Sequence, residues 1–318
     1  MQVTLWGCRG SLPASSNVPL IRAKIVSALE TAVKRGVDES TDIQAFIDKE
    51  LPFSVWGSYG SNTCCVQVAA GSEEYLLVDA GSGLRDFGNR VIATKGPRPQ
   101  VYNILMPHLH WDHLMGFPFF IPAYIPGNVI RFWGCHEQIE YVFRTQQSEP
   151  FFPVTFNDLG AQVEFHALEP GKSVKIDGAL VTPFEQDHPG RSYGYRFEQD
   201  GKTFVMSTDS EHREGADDPD YPFLKHVQGA DLMIYDAQYT FHAANTSKKD
   251  WGHSSNIVGV ELAKRAGVKR ICLFHQEPTL DDASIESFHR DTARYAQLFM
   301  PEQKLEVLMA FDGLVVEI

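Results

Sequence analysis

Between residues 108 and 113 the chain reads His108-Leu109-His110-Trp111-Asp112-His113, the pattern H-x-H-x-D-H. Three imidazoles and a carboxylate this close together are too polar for a packed interior. The apolar-leaning run Val101 to Met106 before them reads as a strand, and Leu114-Met115-Gly116-Phe117 follows. The cluster therefore falls on a loop where a buried strand ends and a helix can begin. Imidazole nitrogens and carboxylate oxygens are the usual ligands of a borderline divalent ion such as zinc. His108 and His110 alternate, so an extended backbone points both to one side. Asp112 and His113 then face elsewhere as the chain turns, which suits two adjacent ions better than one.

Around this cluster the pattern is strands first, then insertions, then alternating strands and helices. Gln2 to Trp6 alternates as a strand and ends in the turn Gly7-Cys8-Arg9-Gly10-Ser11. Cys64 to Ala70 and Tyr75 to Asp79 read as a hairpin joined at Gly71-Ser72. Between them, Leu20, Ile21, Ile25, Val26, Leu29 and Val33 recur at helical spacing, as do Ile43, Phe46, Ile47 and Leu51. Residues 18–55 are thus expected to be a helical insertion of two short helices, walling a cleft or forming a homodimer contact. Phe117 to Pro153, rich in proline and aromatics, is expected to be irregular and to cover a cleft. Strands are predicted at Gln162 to His166, Ser173 to Ile176, Leu180 to Phe184, Tyr193 to Glu198 and Thr203 to Ser207. Further strands are expected at Asp231 to Tyr235 and Arg270 to Phe274. Between these two a helix over Asn256 to Ala266 would be capped by Ser254 or Ser255 and closed by Gly267.

Three of these strands each run into one ligand-type residue: His188 soon after Leu180 to Phe184, Asp209 after Thr203 to Ser207, and His275 after Arg270 to Phe274. Taken singly, a histidine after a strand is more often a hydrogen-bonded structural residue. Together with residues 108–113 the balance reverses, because a rigid scaffold gathers ligands from distant positions in this way. His253 precedes a helix N-terminus, where the dipole disfavours a cation, so it reads as a neutral, proton-shuttling imidazole. His136, His166, His212, His226, His242 and His289 fall outside these patterns and are assigned to surface or core duty. Of these, His212 stands nearest to a candidate ligand.

At this point the chain resembles the metallo-β-lactamase superfamily, and within it the ribonuclease Z-like phosphodiesterases. The resemblance rests on Leu77-Val78-Asp79-Ala80-Gly81-Ser82-Gly83, the H-L-H-W-D-H run, Asp187-His188, Tyr193 to Phe197, Ser207-Thr208-Asp209, Trp251 to Ser255, and Phe274-His275. It covers the chain nearly end to end, apart from residues 18–55. It implies one domain over residues 1–318 with an α/β fold, an αββα sandwich carrying metals at one edge. It also implies one ion on His108, His110, His188 and Asp209, and another on Asp112, His113, His275 and the shared Asp209. A bridging water would ionise near neutral pH and attack phosphorus in line with the leaving oxygen. Asp112 and His253 are the candidate catalytic residues, His253 through a Gly-His-Ser element that lies near the substrate phosphate or leaving group in that branch. Asp79 would orient a ligand imidazole; a plain turn carboxylate is the equal alternative. The branch more often has threonine directly before the first histidine, where this chain has Pro107, so a hydrogen bond to a ligand is in question there. A redox di-iron relative would carry glutamate in place of His110, so the chain reads as hydrolytic.

Bulk properties bound the partners. In 318 residues, 43% are hydrophobic and 22% charged, a globular balance. A formal charge of -13 argues against an extended nucleic-acid surface. It leaves room for a small anionic substrate, because two divalent ions bring about four positive charges locally. Nor is a transfer-RNA-clamping arm of the kind carried by ribonuclease Z evident. The start of the chain has no signal-peptide pattern, and the longest apolar stretch, Met115 to Ile130, is broken by prolines. No membrane span is expected. Five cysteines without paired spacing suggest reduced thiols and a cytoplasmic setting.

The leading expectation is a dinuclear metal-dependent phosphodiesterase cleaving a small phosphodiester, with a cyclic nucleotide as the best single substrate. Zinc suits the histidine-rich donors, with manganese or iron(II) as alternatives. The alternative functions are a metallohydrolase of a lactone or thioester, and a non-catalytic partner-binding module of the same fold.

Overall fold

The central strands read as near-continuous apolar runs because they feed two interiors at once. In β10 (Lys202–Ser207), Phe204 and Met206 point into one core while Val205 points into another. This period-two division is what a sheet covered on both faces requires. The computed structural model describes residues 1–213 and 215–318.

Two seven-stranded sheets face one another among the described residues. The first contains β1 (Gln2–Gly7), β2 (Cys65–Ala69), β3 (Tyr75–Val78), β4 (Val101–Met106), β5 (Val129–Gly134), β6 (Gln162–Ala167) and β14 (Val315–Glu317), in the order β14-β1-β2-β3-β4-β5-β6. The second contains β7 (Val174–Ile176), β8 (Ala179–Gln186), β9 (Ser192–Gln199), β10, β11 (Leu232–Asp236), β12 (Arg270–Phe274) and β13 (Glu306–Met309), ordered β13-β12-β11-β10-β9-β8-β7. The interior between the sheets takes Val3, Leu5, Val66, Val78 and Leu105 from the first, and Val181, Phe197, Phe204, Met206, Ile234 and Phe274 from the second.

Helices cover both outer faces. α1 (Val18–Arg35), α2 (Ile43–Glu50) and α3 (Phe53–Trp56) form the insertion. On the first sheet, α4 (Gly83–Lys95) and α5 (Ile139–Gln146) bury Leu84, Phe87, Val91, Ile139 and Phe143 against Tyr102, Ile104 and Phe132. The second sheet packs with α6 (Pro222–Val227), α8 (Asn256–Arg265) and α9 (Asp282–Leu298), through Phe223, Val227, Leu262, Ala263, Ile285 and Phe288. A short α7 (Phe241–Asn245) precedes α8. The architecture is the expected αββα sandwich. Among the described residues, no helix is long and apolar enough to cross a membrane. The five cysteines are free.

Two expectations need correction. Phe117 to Pro153 is not a loose cover: it contains β5 and α5, and Phe117, Phe120, Phe132 and Phe143 are fully buried. Each such burial is worth about 1.5–3 kcal/mol, so this segment builds the core of the first sheet. Pro118 and Pro122 sit in short 3₁₀ turns before β5 and hide the strand in the sequence. The insertion is also not two short helices. Asn17 accepts from Leu20 N and Gly36 closes in the left-handed conformation, so α1 runs for 18 residues. Its apolar stripe faces outward, with Val18 78%, Leu29 62% and Val33 80% exposed.

Strand direction creates the functional edge. β3, β4 and β5 are parallel, as are β10, β11 and β12, while β8 matches β10 through the antiparallel β9. The C-terminal ends of β1, β3, β4, β8, β10, β11 and β12 carry the turn at Arg9 to Ser11, Asp79, His108, His188, Asp209, Asp236 and His275 respectively. Open α/β sheets place ligands beyond such carboxyl ends.

Candidate metal centre

β4 ends at Met106, the chain bends at Pro107 and is extended at His110 before a 3₁₀ turn at Trp111–His113. That turn splits the cluster as the spacing suggested. Ring nitrogens of His108, His110 and His188 gather in one group, with His188 Nε2 3.1 Å from His110 Nδ1. Asp112, His113, Asp209 and His275 form a second group.

Asp209 lies between the groups and offers one oxygen to each. Its Oδ2 is 3.3 Å from His108 Nε2 and 4.0 Å from His188 Nε2. Its Oδ1 is 3.4 Å from His113 Nε2 and 3.3 Å from His275 Nε2. Asp112 Oδ2 completes the second group at 3.2 Å from both His113 Nε2 and His275 Nε2. The seven residues expected to act as ligands therefore converge in two sets that share Asp209. All but His110 are buried.

Supporting contacts fix the rings. Asp79 Oδ1 accepts from His113 Nδ1 at 2.7 Å, and its positive φ of 72° shows that it is also the turn residue closing β3. Gly252 O accepts from His188 Nδ1 at 2.7 Å. Ser11 N donates to Asp112 Oδ2 at 2.9 Å. His275 itself has a φ of 64°, and Gly10 lies so close that a Cβ there would be 2.5 Å from His275 Nδ1. Both strand-end backbones are thus bent into the left-handed region, a cost tolerated where the surroundings over-determine it.

The electrostatics divide the imidazoles. Burial, with the positive field of His113, pushes His108 well below its ordinary pKa. Burial also lowers His188 and His110. Burial opposes charge on His113 and His275, yet the carboxylates around them win: Asp79, Asp112 and Asp209 raise His113, and Asp209 raises His275. Complete burial lifts Asp79 to about 6 against the pull of His113. Asp112 and Asp209 go the other way, held well below the usual carboxylate range by the histidines despite their burial.

The donor set fits divalent ions. His108 Nδ1 and Nε2, His113 Nε2 and His275 Nδ1 are buried without a hydrogen-bond partner. Buried polar atoms are rarely left so, and two of these, His108 Nε2 and His113 Nε2, converge on the Asp209 carboxylate, a metal-binding arrangement. Cys64, buried in the turn before β2, also brings its sulfur near His113 and His275.

His253 borders the centre. Its Nδ1 is 2.9 Å from Asp236 Oδ2 and 4.0 Å from Asp209 Oδ2, and it stacks on His275 at 5.0 Å between ring centroids. Asp236, at the end of β11, was missed in the sequence although it obeys the same strand-end pattern as Asp209 and His275. His212 does not join the centre: its Nδ1 meets Tyr221 Oη at 2.9 Å, and its ring stacks on Tyr235. A cavity of about 520 Å³ opens beside His253, between α7, α8 and the chain after Glu211; Phe241, Asn245 and Lys249 line it. None of its lining residues comes from 18–55, and none of the seven candidate ligands does either.

A family model described as a beta-lactamase superfamily domain matches residues 74–276. Ribonuclease Z of Brevibacillus brevis is 30% identical over 141 residues, 44% of this chain and 40% of that protein, so the match spans less than half of that relative. Ribonuclease BN of Escherichia coli O1:K1 is 24% identical over 266 residues, covering 68% of this chain and 82% of that protein. The solved metallo-beta-lactamase fold protein YhfI from Bacillus subtilis superposes with a TM-score of 0.64 at 18% identity, over 99% of this chain and 98% of that one. The last likeness is one of fold.

Proposed function

Because the chain belongs to the metallo-β-lactamase superfamily and has ribonuclease Z-like relatives, we propose that it is a dinuclear metal-dependent hydrolase cleaving small phosphodiesters, with cyclic nucleotides the first substrates to examine. The observation that carries this reading is the division of Asp209, one oxygen toward His108 and His188 and the other toward His113 and His275. A single carboxylate facing two sets of imidazoles is the donor arrangement of a two-ion site. Relatives named as ribonucleases favour phosphodiesters among the bonds such a site can hydrolyse.

His108, His110 and His188 would hold one ion and Asp112, His113 and His275 the other, with Asp209 common to both; zinc suits these donors, with manganese or iron(II) as alternatives. Two such ions supply Lewis acidity toward phosphoryl oxygens and bring the ionisation of water toward neutral pH. The chain's own residues do the rest. Asp79 and the Gly252 carbonyl hold His113 and His188 by Nδ1, leaving Nε2 of each for the centre. Asp236 holds His253 by Nδ1; once the ring has taken a second proton from solvent, Nε2 carries the one it can pass to the departing oxygen, and the ring returns to its neutral form. The cavity beside His253 has room for a nucleoside-sized group; Phe241, Asn245, Arg213 and Lys249 line it together with the carboxylates of Glu211, Asp217, Asp250 and Glu261.

The test is metal analysis together with hydrolysis of bis-p-nitrophenyl phosphate and a panel of cyclic nucleotides. Two ions per chain with phosphodiester turnover are expected. Two ions, no phosphodiester turnover and rapid opening of a lactone or thioester would overturn the reading in favour of a different hydrolase. A chain that binds no metal and turns over nothing would be a binding module.

A further inference from the structure

Glu211 is a buried carboxylate, 7% exposed, two residues past Asp209. Its oxygens accept two backbone N–H groups from one distant loop: Asp250 N on Oε1 at 3.0 Å and Gly252 N on Oε2 at 3.0 Å. That loop turns twice through the left-handed region, with φ of 66° at Asp250, uncommon for a residue with a side chain, and 85° at Gly252, where glycine permits it. The same Gly252 supplies the carbonyl that receives His188 Nδ1, and the next residue is His253. Glu211 also donates its own N–H to Asp187 O, beside His188, at 2.8 Å. Arg213 braces the arrangement, its guanidinium 3.2 Å from both Glu211 and Asp250 and 3.4 Å from Asp187. Neighbouring contacts stitch the same segments: Ser254 Oγ donates to Ser210 O at 2.6 Å and accepts from His212 N at 3.2 Å.

We propose that Glu211 is a positioning residue that sets His188 and His253 together, by clamping the left-handed loop Asp250–Gly252 that carries the acceptor for one and the backbone of the other. A neutral loop of this shape has two N–H groups pointing inward with no strand or helix to receive them. An ionised carboxylate satisfies both with charge-assisted bonds, and only a side chain with two equivalent acceptors can do so. Glutamine keeps the length and loses one acceptor, turning an amide N–H toward a backbone N–H. The loop then relaxes, and Gly252 O drifts from His188 while His253 drifts from Asp236. His113 and His275 have no hydrogen bond to Glu211 or to residues 250–252, and His275 meets only the ring face of His253, so their half of the centre keeps its own anchors, Asp79 and Asp112.

The consequence is asymmetric, and a general loss of structure would not reproduce it. The inference rests on the phosphodiesterase reading for its kinetic arm and not for its metal arm. Full-length wild type, Glu211→Gln and Glu211→Asp are compared by chelator competition for zinc, by hydrogen exchange of the amides at 250–252, and by hydrolysis of diesters with p-nitrophenyl and alkyl leaving groups. The expected result is a 10- to 100-fold weaker hold on one zinc with the other unchanged, the range typical of removing a group that orients a ligand (about 10–100-fold). Exchange at 250–252 quickens, and the alkyl diester loses at least 10-fold more rate than the p-nitrophenyl diester, because only a basic leaving oxygen needs the proton from His253. Aspartate, too short to reach both amides, behaves as glutamine does and serves if the glutamine variant does not fold. Equal weakening of both zincs, or equal rate loss for both diesters with unchanged exchange, would overturn the proposal. If wild type cleaves no phosphodiester, the functional reading fails while zinc affinity and exchange still decide the role of Glu211.

Discussion

Asp236 Oδ2 receives His253 Nδ1 at 2.9 Å and the backbone N–H of Ser210, the residue after Asp209, at 3.0 Å. One carboxylate oxygen thus ties the candidate proton donor to the strand end that carries the shared ligand. Replacing His253 with alanine is expected to lower turnover of a diester with a poor leaving group by about 10²-fold, the scale of general-acid assistance, with metal content unchanged. Asp236→Asn should give a smaller loss in the same direction. Unchanged turnover in a fully loaded His253→Ala protein would remove the role assigned to it.

Because Asp209 faces both groups of imidazoles, ligand substitutions should differ in how many ions they cost. His188→Ala and His113→Ala are each expected to lower metal content by one ion per chain, and Asp209→Ala by two. Turnover should fall at least about 10³-fold in all three, as expected when charge-stabilising groups aimed at the transition state are lost. Elemental analysis after dialysis is the measurement; identical losses in the three proteins would argue for a single site.

Gly10 is required by space rather than by backbone angle. An added Cβ would lie 2.5 Å from His275 Nδ1 and 2.9 Å from its carbonyl oxygen. Neither can retreat easily, since His275 N is bonded to Cys8 O at 3.0 Å. Gly10→Ala should cost about 1–3 kcal/mol of stability, typical of forcing extra volume into a packed place. It should also weaken metal retention at the Asp112, His113 and His275 group. Wild-type stability and metal content in that variant would show that the turn adjusts freely.

Far from the centre, Asp177 and Gly178 form the two-residue turn between β7 and β8, with φ of 48° and 85°. Burial, with a smaller push from Glu74, raises Asp177 to about 6. Its Oδ1 is buried without a hydrogen-bond partner. Between about pH 4 and 6 the folded chain holds a proton there that the unfolded chain has released, so stability falls as pH rises through that window. Above it the deficit is complete. Asp177→Asn, which suits this turn, should therefore stabilise by about 1 kcal/mol above pH 6, after discounting for solvent screening, and by nothing below pH 4. Denaturant midpoints at pH 4 and pH 7.5 test the sign.

Much of the centre was legible because ligands sit where apolar runs stop. His188, Asp209 and His275 each follow a strand whose side chains pack on both faces, so a polar residue beyond it is exposed to choice rather than to packing. Asp236 follows the same rule and escaped notice only because Ala237-Gln238-Tyr239 adds no histidine beside it. β5 is hidden in the sequence by its proline-rich approach, and the apolar spacing of α1 marks a helix without revealing that its stripe faces outward. The hold on His188 was not readable at all: its partner is the carbonyl of Gly252, and a carbonyl leaves no trace in residue identity. Glu211 was silent for the same reason, since it binds backbone amides about forty positions away.

The insertion leaves and re-enters the first sheet at the edge that holds the centre. β1 ends beside Gly10 and Ser11, which touch His275 and Asp112, and β2 begins just after Cys64, near His113. The strands that end at these residues are held in register by hydrogen-bond ladders, whereas the connections between strand ends carry no such obligation. The frame and its connections therefore answer to different demands: strand register fixes where Asp79, His108, Asp209 and His275 stand, while α1, α2 and α3 lengthen one connection without adding a side chain to either group.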